Sequence, residues 1–558
     1  MVRATFSGFN TALSALQANQ KRLDITGQNL SNMNTAGYTR QQLEVSSLNY
    51  TNPVSHYSNG NETAVGFGVS MERVSQIRDP YLDIQYRSQS ADCSYTNRLQ
   101  TALNSLSKVL DETTISGIRQ AFDDIQSTLT SMQDPAKVSD PIYESELRTK
   151  MQSVCNLFNQ ASRQISQAEQ NEFQRLTGEG SSEQGDVQKI NDILRQIGDL
   201  NVQIKRNQVA GHPSLELQDE RNLLLDELSG YIPVETRYYK DDAHSGNNAY
   251  DYDANGAVIG KKDWPDDLEV SMNYIDAQGK SQKLILVNGS DLGADGLTKN
   301  YGQLSVLKGD HQTAASVSDP ANISIKFEKA PSYQGNGQAA ADVYAELKGI
   351  HFEGGSLQAS LDMLQKTGTG NVINGSTAVD DVRGYQYYSG KLDQLASTFA
   401  KSMNDINNKG KNPKDQNLLS NSTDDSTTGI TAGNIGISKG WTSGTIHIST
   451  DGTNRTDTIL DMIAAMKDTK KLNGKTFADY MNNLSTQLAS DSSSNQTALK
   501  TGTTVLNSIQ DSRDSLSGVS LDEEATNMMA YVSAYNAASR LMTALDEVLN
   551  TLISNTGA

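Results

Sequence analysis

The sequence predicts a multidomain fold that is mainly α with inserted β: paired terminal coiled-coil helices, a helical bundle domain and an outer β-rich domain. Three observations indicate this fold class. Apolar residues alternate at three- and four-residue spacings at both chain ends. Helical periodicity dominates residues 80–230 and 381–516, while short runs of β-branched and aromatic residues fill residues 231–356. At 558 residues, the chain suits about three or four domains.

Residues 1–45 and 519–558 form the predicted terminal domain, in which each end carries an apolar row that we call the terminal seam. A seam side chain gains about 1.5 to 3 kcal/mol only when another helix covers it, so the ends should pair with each other or with neighbouring copies. Residues 1–44 hold four basic and two acidic side chains, whereas residues 511–558 hold two and seven, which favours the pairing. The terminal seam comprises Phe6, Phe9, Leu13, Leu16, Leu23, Leu30, Leu521, Met528, Val532, Tyr535, Met542, Leu545, Leu549 and Leu552.

After the first helix, a turn and an extended segment precede the bundle. Residues 46–79 are predicted to be an extended linker, with residues 62–78 the clearest extended run. Asp79-Pro80 and Asp140-Pro141 are helix starts, because Asp caps a helix and Pro is tolerated at its first position. The predicted helices span about 80–111, 115–133, 141–175, 185–209 and 214–230. The predicted turn contains Asn32, Asn34, Thr35, Gly37 and Tyr38.

The β-rich domain is predicted over residues 231–356, and residues 357–380 return the chain to the bundle. Strands are expected near 232–239, 267–275, 282–288, 303–307, 323–329 and 342–352. Helices should follow at about 357–366, 381–408, 456–467, 475–489 and 495–516. A loop-rich insertion at 409–455 should hold one hairpin within residues 437–449. A capping box at Ser520 and Glu523 predicts that the last helix begins close to Leu521.

Composition excludes several classes of protein. A net charge of -19 argues against a nucleic-acid or anionic-membrane binder, and no apolar run reaches the roughly 20 residues of a membrane span. The N-terminus lacks the apolar core of a cleaved signal peptide. Cys93 and Cys155 fit two semi-buried thiols rather than a disulfide. No catalytic or nucleotide-binding motif occurs and the six histidines are scattered, so we expect neither an enzyme nor a cofactor.

One short string resembles the start of a calcium-binding loop. Asp251, Asp253 and Asn255 place oxygen ligands at alternate positions before Gly256. The twelfth position is Lys262, where such loops need a bidentate Glu. An Asp/Asn-Gly turn between strands accounts for the same residues and is the preferred interpretation.

Two signatures at opposite ends of the chain resemble those of the axial proteins of the bacterial flagellum, the rod, hook and hook-associated proteins. TGQNLSNMNTAGYTRQ at 26–41 resembles their N-terminal signature, and SGVSLDEEATNMMAYVSAYNAASRLM at 517–542 resembles their C-terminal one. Three further stretches are similar to the hook-associated protein 1 family: VGFGVSMERVSQIRDPYLDIQYR, LELQDERNLLLDELSGYIPVE and GGSLQASLDMLQ. Together the similar segments cover about two thirds of the chain.

This resemblance implies a non-enzymatic adaptor at the distal end of the hook, outside the cell. It implies contacts with other copies of the chain, with hook protein and with hook-associated protein 3. It also implies export through the flagellar type III apparatus, after a cytoplasmic chaperone has held the C-terminal helix. We expect Leu541, Leu545 and Leu549 to bind that chaperone, because an uncovered apolar stripe needs protection before assembly.

Three alternatives stay open at this stage. A distal rod or hook subunit would share the terminal signatures, but would usually lack the long bundle and the Leu-rich segment at 223–228. A secreted β-rich adhesin would need a working calcium site at Asp251, Asp253 and Asn255. A cell-wall hydrolase would need a catalytic carboxylate or cysteine in a cleft. The last two do not explain the chain ends.

Overall fold

The computed structural model is mostly helical, with small antiparallel sheets. It describes residues 7–48, 68–110, 112–138, 140–240, 250–252, 258–261, 266–276, 279–290, 299–330, 343–345, 351–368, 372–373, 376–377, 382–409, 416–450 and 453–556. The α-helices are α1 (Ser7–Ser31), α2 (Pro80–Val109), α3 (Glu112–Ser131), α4 (Pro135–Val138), α5 (Pro141–Thr177), α6 (Asp186–Val209), α7 (Leu215–Tyr231), α8 (Ser356–Gln365), α9 (Tyr385–Asn407), α10 (Lys439–Thr442), α11 (Asp457–Met466), α12 (Phe477–Ser517) and α13 (Leu521–Thr556).

The predicted helix starts are confirmed by their caps. Asp79 Oδ1 accepts a hydrogen bond from Tyr81 N at 2.9 Å, and Asp140 Oδ1 accepts one from Ile142 N at 2.9 Å. Each cap satisfies a backbone donor that has no partner inside the helix. The last helix begins at Leu521, as the sequence predicts.

The predicted break between residues 489 and 495 is wrong, because α12 runs without interruption through this serine-rich stretch. Its polar side chains bond to α2 instead of competing with their own backbone. Gln100 donates to Ser492 Oγ at 2.8 Å, while Asn495 Nδ2 donates to Thr96 O and to Gln100 Oε1, both at 2.9 Å. Contact with α2 therefore overrides the weak helix propensity of these residues.

The strands form separate antiparallel sheets of two or three strands. The larger sheets have the orders β3-β6-β7 and β10-β9-β8, and the pairs are β1-β2, β4-β5, β11-β12 and β13-β14. Strands overlap each of the six runs predicted between residues 232 and 352, whereas β1, the partner of the predicted extended segment, was not anticipated. The strands are β1 (Gln41–Ser47), β2 (Val69–Gln76), β3 (Glu235–Lys240), β4 (Tyr250–Tyr252), β5 (Val258–Lys261), β6 (Asp266–Ile275), β7 (Ser281–Asn288), β8 (Gln303–Lys308), β9 (Ile323–Glu328), β10 (Val343–Ala345), β11 (Val372–Ile373), β12 (Ser376–Thr377), β13 (Leu419–Asn421) and β14 (Ile435–Ile437).

The hairpin predicted within residues 437–449 is also wrong. Ile437 pairs instead with Leu419, which places residue 437 at the end of β14. The chain then turns into α10, where Ser438 Oγ accepts a hydrogen bond from Trp441 N at 3.2 Å. Trp441 is fully buried and donates to Glu144 at 2.8 Å. Burying this large side chain decides the local structure over its β-like composition.

A continuous apolar core joins the bundle to the sheets. The row Leu392, Leu395, Phe399 and Met403 is buried along α9, as its spacing predicts. Phe399 packs against Phe122 with ring centroids 5.2 Å apart. The sheets lie against α6, where Asn201 Nδ2 donates to two backbone carbonyls of the β region, both at 3.1 Å.

The helices also decide the state of the two cysteines and the question of a membrane span. Cys93 and Cys155 are both buried and free, and burial raises the pKa of the Cys155 thiol to about 12. In the part of the chain that the structure describes, no helix combines the length and the apolar character that crossing a bilayer requires.

Candidate functional site: the junction of the chain ends with the bundle

The first and last helices lie against each other. Arg22 of α1 is placed over the ring of Tyr531 of α13, with its guanidinium carbon 5.4 Å from the ring centroid. Farther along, a Cβ added to Gly8 would lie 3.3 Å from the side chain of Leu545. Small residues, Ala12, Ala18 and Ala538, are buried along the pair, and such residues let two helices approach closely.

The predicted terminal seam divides between this contact and solvent. Phe6 lies outside the described residues, as does the side chain of Leu552. The exposed members are Leu13, Leu521, Val532 and Tyr535. The half-buried members are Phe9, Leu16, Leu23, Leu30, Met528, Met542, Leu545 and Leu549.

Exposed apolar side chains on α13 also lie outside the predicted seam. Met529 is 66% exposed, Val548 60% and Ile553 61%, and Leu541 belongs to the same exposed set. Of the three proposed chaperone-binding residues, Leu541 therefore faces solvent, while Leu545 and Leu549 are half-buried. In the single chain, α13 has one side against α1 and another side open.

The signature turn closes α1 and redirects the chain into β1. Thr35 N donates to Asn32 O at 2.9 Å and Tyr38 N donates to Thr35 O at 3.2 Å. Gly37 has a φ of +77°, a conformation that glycine adopts without strain. Asn34 lies exposed in the same turn. The structure thus brings the five predicted turn residues together.

Asn29, which the sequence analysis did not single out, joins this turn to β1. Its Oδ1 atom accepts hydrogen bonds from Tyr38 OH at 2.9 Å and from Gln41 N at 3.0 Å. Its Nδ2 atom donates to Gln41 O at 2.9 Å. Asn29 is buried, so these bonds satisfy polar groups that solvent does not reach.

The segment after the turn is attached to α7. Thr39 donates to the Asp219 carboxylate twice, from its backbone N at 3.0 Å and from Oγ1 at 2.6 Å. Burial raises the pKa of Asp219, and the two hydrogen bonds from Thr39 act against that rise. Burial also raises the pKa of Tyr38, and the nearby Asp219 charge adds to the increase.

Beside Asp219 lies a partly buried group of charged side chains that we call the ion-pair cluster: Arg78, Asp83, Arg87, Asp226 and Arg513. Arg78 Nε lies 2.5 Å from Asp83, and Arg513 lies 3.1 Å from Asp83 and 2.8 Å from Asp226. Arg87 completes the chain of contacts at 2.8 Å from Asp226. The Arg513 guanidinium also covers the ring of Tyr86, 4.3 Å from its centroid.

The ion-pair cluster joins four parts of the chain: the end of β2, α2, α7 and the end of α12. Removing one partner would leave an uncompensated charge in this partly shielded site, which should destabilise the packing of these four parts. The spacing carries a faint signal of this role, since Asp83 and Arg87 are four residues apart and Asp219, Asn222 and Asp226 repeat at three and four. The sequence analysis missed all of these residues.

Arg40 links the turn to the C-terminal helix. Its side chain lies 2.7 Å from Glu523 and 2.8 Å from Glu524, both in the first turn of α13. Carboxylates at this position also favour the positive end of the helix dipole. The residues that the two sequence signatures contain are therefore in direct contact.

The structure describes only one of the three candidate calcium ligands. Asp251 lies in β4, but Asp253 and Asn255 lie outside the described residues. Among the residues that are described, no group of three or more His, Cys, Asp or Glu side chains could hold a metal ion.

Comparisons with known proteins place matches on the same parts of the chain. The family model of the flagellar hook-associated protein FlgK helical domain matches residues 103–264. The model of the flagella basal body rod protein matches residues 9–39, and that of the flagellar basal body rod FlgEFG protein C-terminal region matches residues 512–555. The terminal models thus contain the signature turn and Arg513.

Relatives of this chain are hook-associated proteins. Flagellar hook-associated protein 1 of Bacillus subtilis is 28% identical over 99% of both chains. Flagellar hook-associated protein 1 of Salmonella typhimurium is 29% identical over 40% of this chain and 38% of its own length. A solved structure, the flagellar hook junction protein FlgK of Burkholderia pseudomallei, has a TM-score of 0.39 and 19% identity, covering 61% of this chain and 46% of that chain. With one relative matched along its whole length and family models matched at both ends and in the bundle, this chain is similar throughout to flagellar hook-associated protein 1.

Proposed function

We propose that this chain is a non-enzymatic structural adaptor that assembles at the distal end of the hook and forms the junction with the filament. The observation that carries the proposal is the joining of the two chain ends into one helix pair. That pair has an open apolar face on α13 and is held to the bundle through Arg40, Asp219 and the ion-pair cluster. Such a face gains its burial energy only when a neighbouring subunit covers it.

The proposed arrangement in the assembly follows from the order of domains. The terminal helix pair, from residues 1–45 and 519–558, forms the inner wall of a tube built from copies of this chain. The bundle, from 80–230 and 381–516 with the insertion at 409–455, lies outside it. The β-rich domain at 231–356 lies outermost, and residues 46–79 connect the terminal pair to the bundle.

The proposed partners are other copies of the chain, hook protein on one side and hook-associated protein 3 on the other. Before assembly, the chain would leave the cytoplasm through the flagellar type III apparatus, with its C-terminal helix held by an export chaperone. The exposure of Leu541 and of other apolar side chains on α13 supports a protective partner, because these side chains are uncovered in the single chain.

Two deletions test the function. Cells that carry only a chain lacking residues 1–45, or only one lacking 519–558, should build hooks without filaments. The remaining middle region should still unfold in one cooperative transition, because the core of the bundle does not include the terminal helices. Filament growth with either truncated chain would refute the proposal.

Labelled protein on isolated flagella separates the proposal from its rivals. Label confined to the hook tip is expected. Label along the hook body or in the rod would instead identify another axial subunit. Calcium binding through Asp251, Asp253 and Asn255, measured by calorimetry, would support the adhesin alternative only if the label were also absent from the flagellum.

A further inference from the structure

The two longest helices at the C-terminal end meet at a short joint. α12 ends at Ser517 and α13 begins at Leu521, which leaves residues 518–520 between them. The Gly518 amide closes α12 through a hydrogen bond to Asp514 O at 2.9 Å, and Ser520 O accepts the first bond of α13 from Glu524 N at 2.9 Å. Any change in the angle between the helices is therefore concentrated in these three residues.

Arg40 contacts both sides of this joint. Its backbone N donates to Ser517 O, the last carbonyl of α12, at 2.9 Å. Its guanidinium lies 2.7 Å from Glu523 and 2.8 Å from Glu524 in α13. The side chains of Arg40 and Glu524 are 15% and 3% exposed, so this arm is shielded from solvent, whereas Glu523 is 56% exposed. A shielded charge-assisted bond is stronger and less sensitive to salt than an exposed one.

Apolar packing does little to hold the start of α13. Between residues 521 and 537, every side chain except that of Glu524 is exposed or half-buried. A polar cavity of about 260 Å³ lies where a packed interface would be, lined in part by Arg22, Asn29, Arg40, Glu524 and Tyr531. By contrast, the end of α12 is fixed to the bundle through Arg513, Asp83 and Asp226.

We propose that Arg40 is a positioning residue that locks the joint at residues 518–520 and so sets the orientation of the terminal helix pair relative to the bundle. The lock acts within a single chain, and the inference goes beyond the proposed function because it holds whether or not the protein occupies the hook tip. Without the lock, the cavity leaves space for the first turns of α13 to move and the pair takes up a range of orientations.

Spin labels on the full-length protein test this inference. Ser508→Cys and Ser533→Cys place labels on exposed positions of α12 and α13, separated by about 30 Å of helix. The native cysteines are buried and react slowly, and protein without the two new cysteines measures their background. Pulsed electron paramagnetic resonance should give one narrow distribution of label-to-label distances in the parent protein. The distribution should become broad in Arg40→Gln.

Controls make the result specific to the joint. Arg73→Gln removes an exposed ion pair with Glu44 across the neighbouring β1-β2 pair and should keep the narrow distance. Glu524→Gln should also broaden the distance, because it removes the shielded arm of the lock, and the double variant should be no broader than Arg40→Gln, which already removes the contacts with both Glu523 and Glu524. Arg40→Lys, which keeps the charge, should give an intermediate width.

An unchanged distance in both Arg40→Gln and Glu524→Gln would overturn the lock, and so would a broad distance in the parent protein. If Arg40→Gln fails to fold, the Glu524→Gln and Arg40→Lys distances decide the question. Filament growth is scored separately in the deletion experiment, so failure of the proposed function and failure of the lock are distinguishable.

Discussion

Gly37 in the signature turn lies directly against Leu223 of α7. A Cβ atom added to Gly37 would lie 2.4 Å from Leu223 Cδ1 and 2.5 Å from its Cγ. Gly37 also has a φ of +77°. Glycine is therefore required at this position for two separate reasons, its backbone conformation and its lack of a side chain. The contact brings the N-terminal signature onto the bundle two residues before Thr39 binds Asp219.

We predict that Gly37→Ala lowers the free energy of unfolding by about 2 kcal/mol or more, because strain at positive φ and a steric clash combine. Urea denaturation followed by circular dichroism measures the change. Gly211→Ala is the matched control, since Gly211 has a φ of +88° but no atom within 4 Å of its added Cβ. Adding Leu223→Ala to Gly37→Ala should recover the part due to the clash. Equal losses for the two glycines would show that the contact with Leu223 does not matter.

Asp393 should make stability depend on pH. It accepts a hydrogen bond from Ala432 N at 2.7 Å, and burial raises its pKa above the ordinary 3.8. A raised carboxyl pKa means that the folded state favours the protonated form. The resulting contribution to the free energy of unfolding is complete below pH 3.8 and is lost as pH rises through the pKa of the folded state. The loss of stability in Asp393→Asn, relative to the parent protein, should therefore be smallest at neutral pH and should grow as pH falls toward 4. Urea midpoints across this range measure the difference.

Asp457 supplies a control of opposite sign. Hydrogen bonds from Asn454 lower its pKa. Its contribution to the free energy of unfolding is therefore present above pH 3.8 and is lost as pH falls through the lowered pKa of the folded state. The deficit of Asp457→Asn should then shrink on acidification instead of growing. Profiles that change in the same direction for the two variants would contradict one of the two assignments, and flat profiles would contradict both.

The C-terminal leucines should matter for chaperone capture before assembly. Changing Leu541, Leu545 and Leu549 to Ser should weaken binding of the export chaperone by at least about tenfold, because each buried leucine contributes about 1.5 to 3 kcal/mol. A pull-down with the purified chaperone measures this binding, and Thr543→Ser on the same helix is the control. Leu541→Ser alone should weaken capture while leaving the contact of Leu545 with α1 intact. Undiminished capture by the triple variant would rule out this site.

Some elements could be predicted because their signals are local. Asp79-Pro80 and Asp140-Pro141 mark helix starts through bonds that reach only two residues, and the row from Leu392 to Met403 follows helical spacing. The errors came where distant contacts decided the structure. The serine-rich stretch of α12 is helical because its side chains exchange hydrogen bonds with α2. Trp441 lies in a helical turn because that turn buries its ring and lets it donate a hydrogen bond to Glu144.

The sequence by itself determined the class of fold, the position of most helices and strands, and the family resemblance, because these depend on periodicity, capping and motifs within short segments. Only the tertiary structure decided which charges meet. Thr39 and Asp219 are 180 positions apart, and Arg40 and Glu524 are 484 apart. Pairing between such residues depends on how the bundle brings its helices together in space, and no local pattern in the chain encodes that distance. The same holds for α13, whose periodicity indicates an apolar seam but not which side α1 covers.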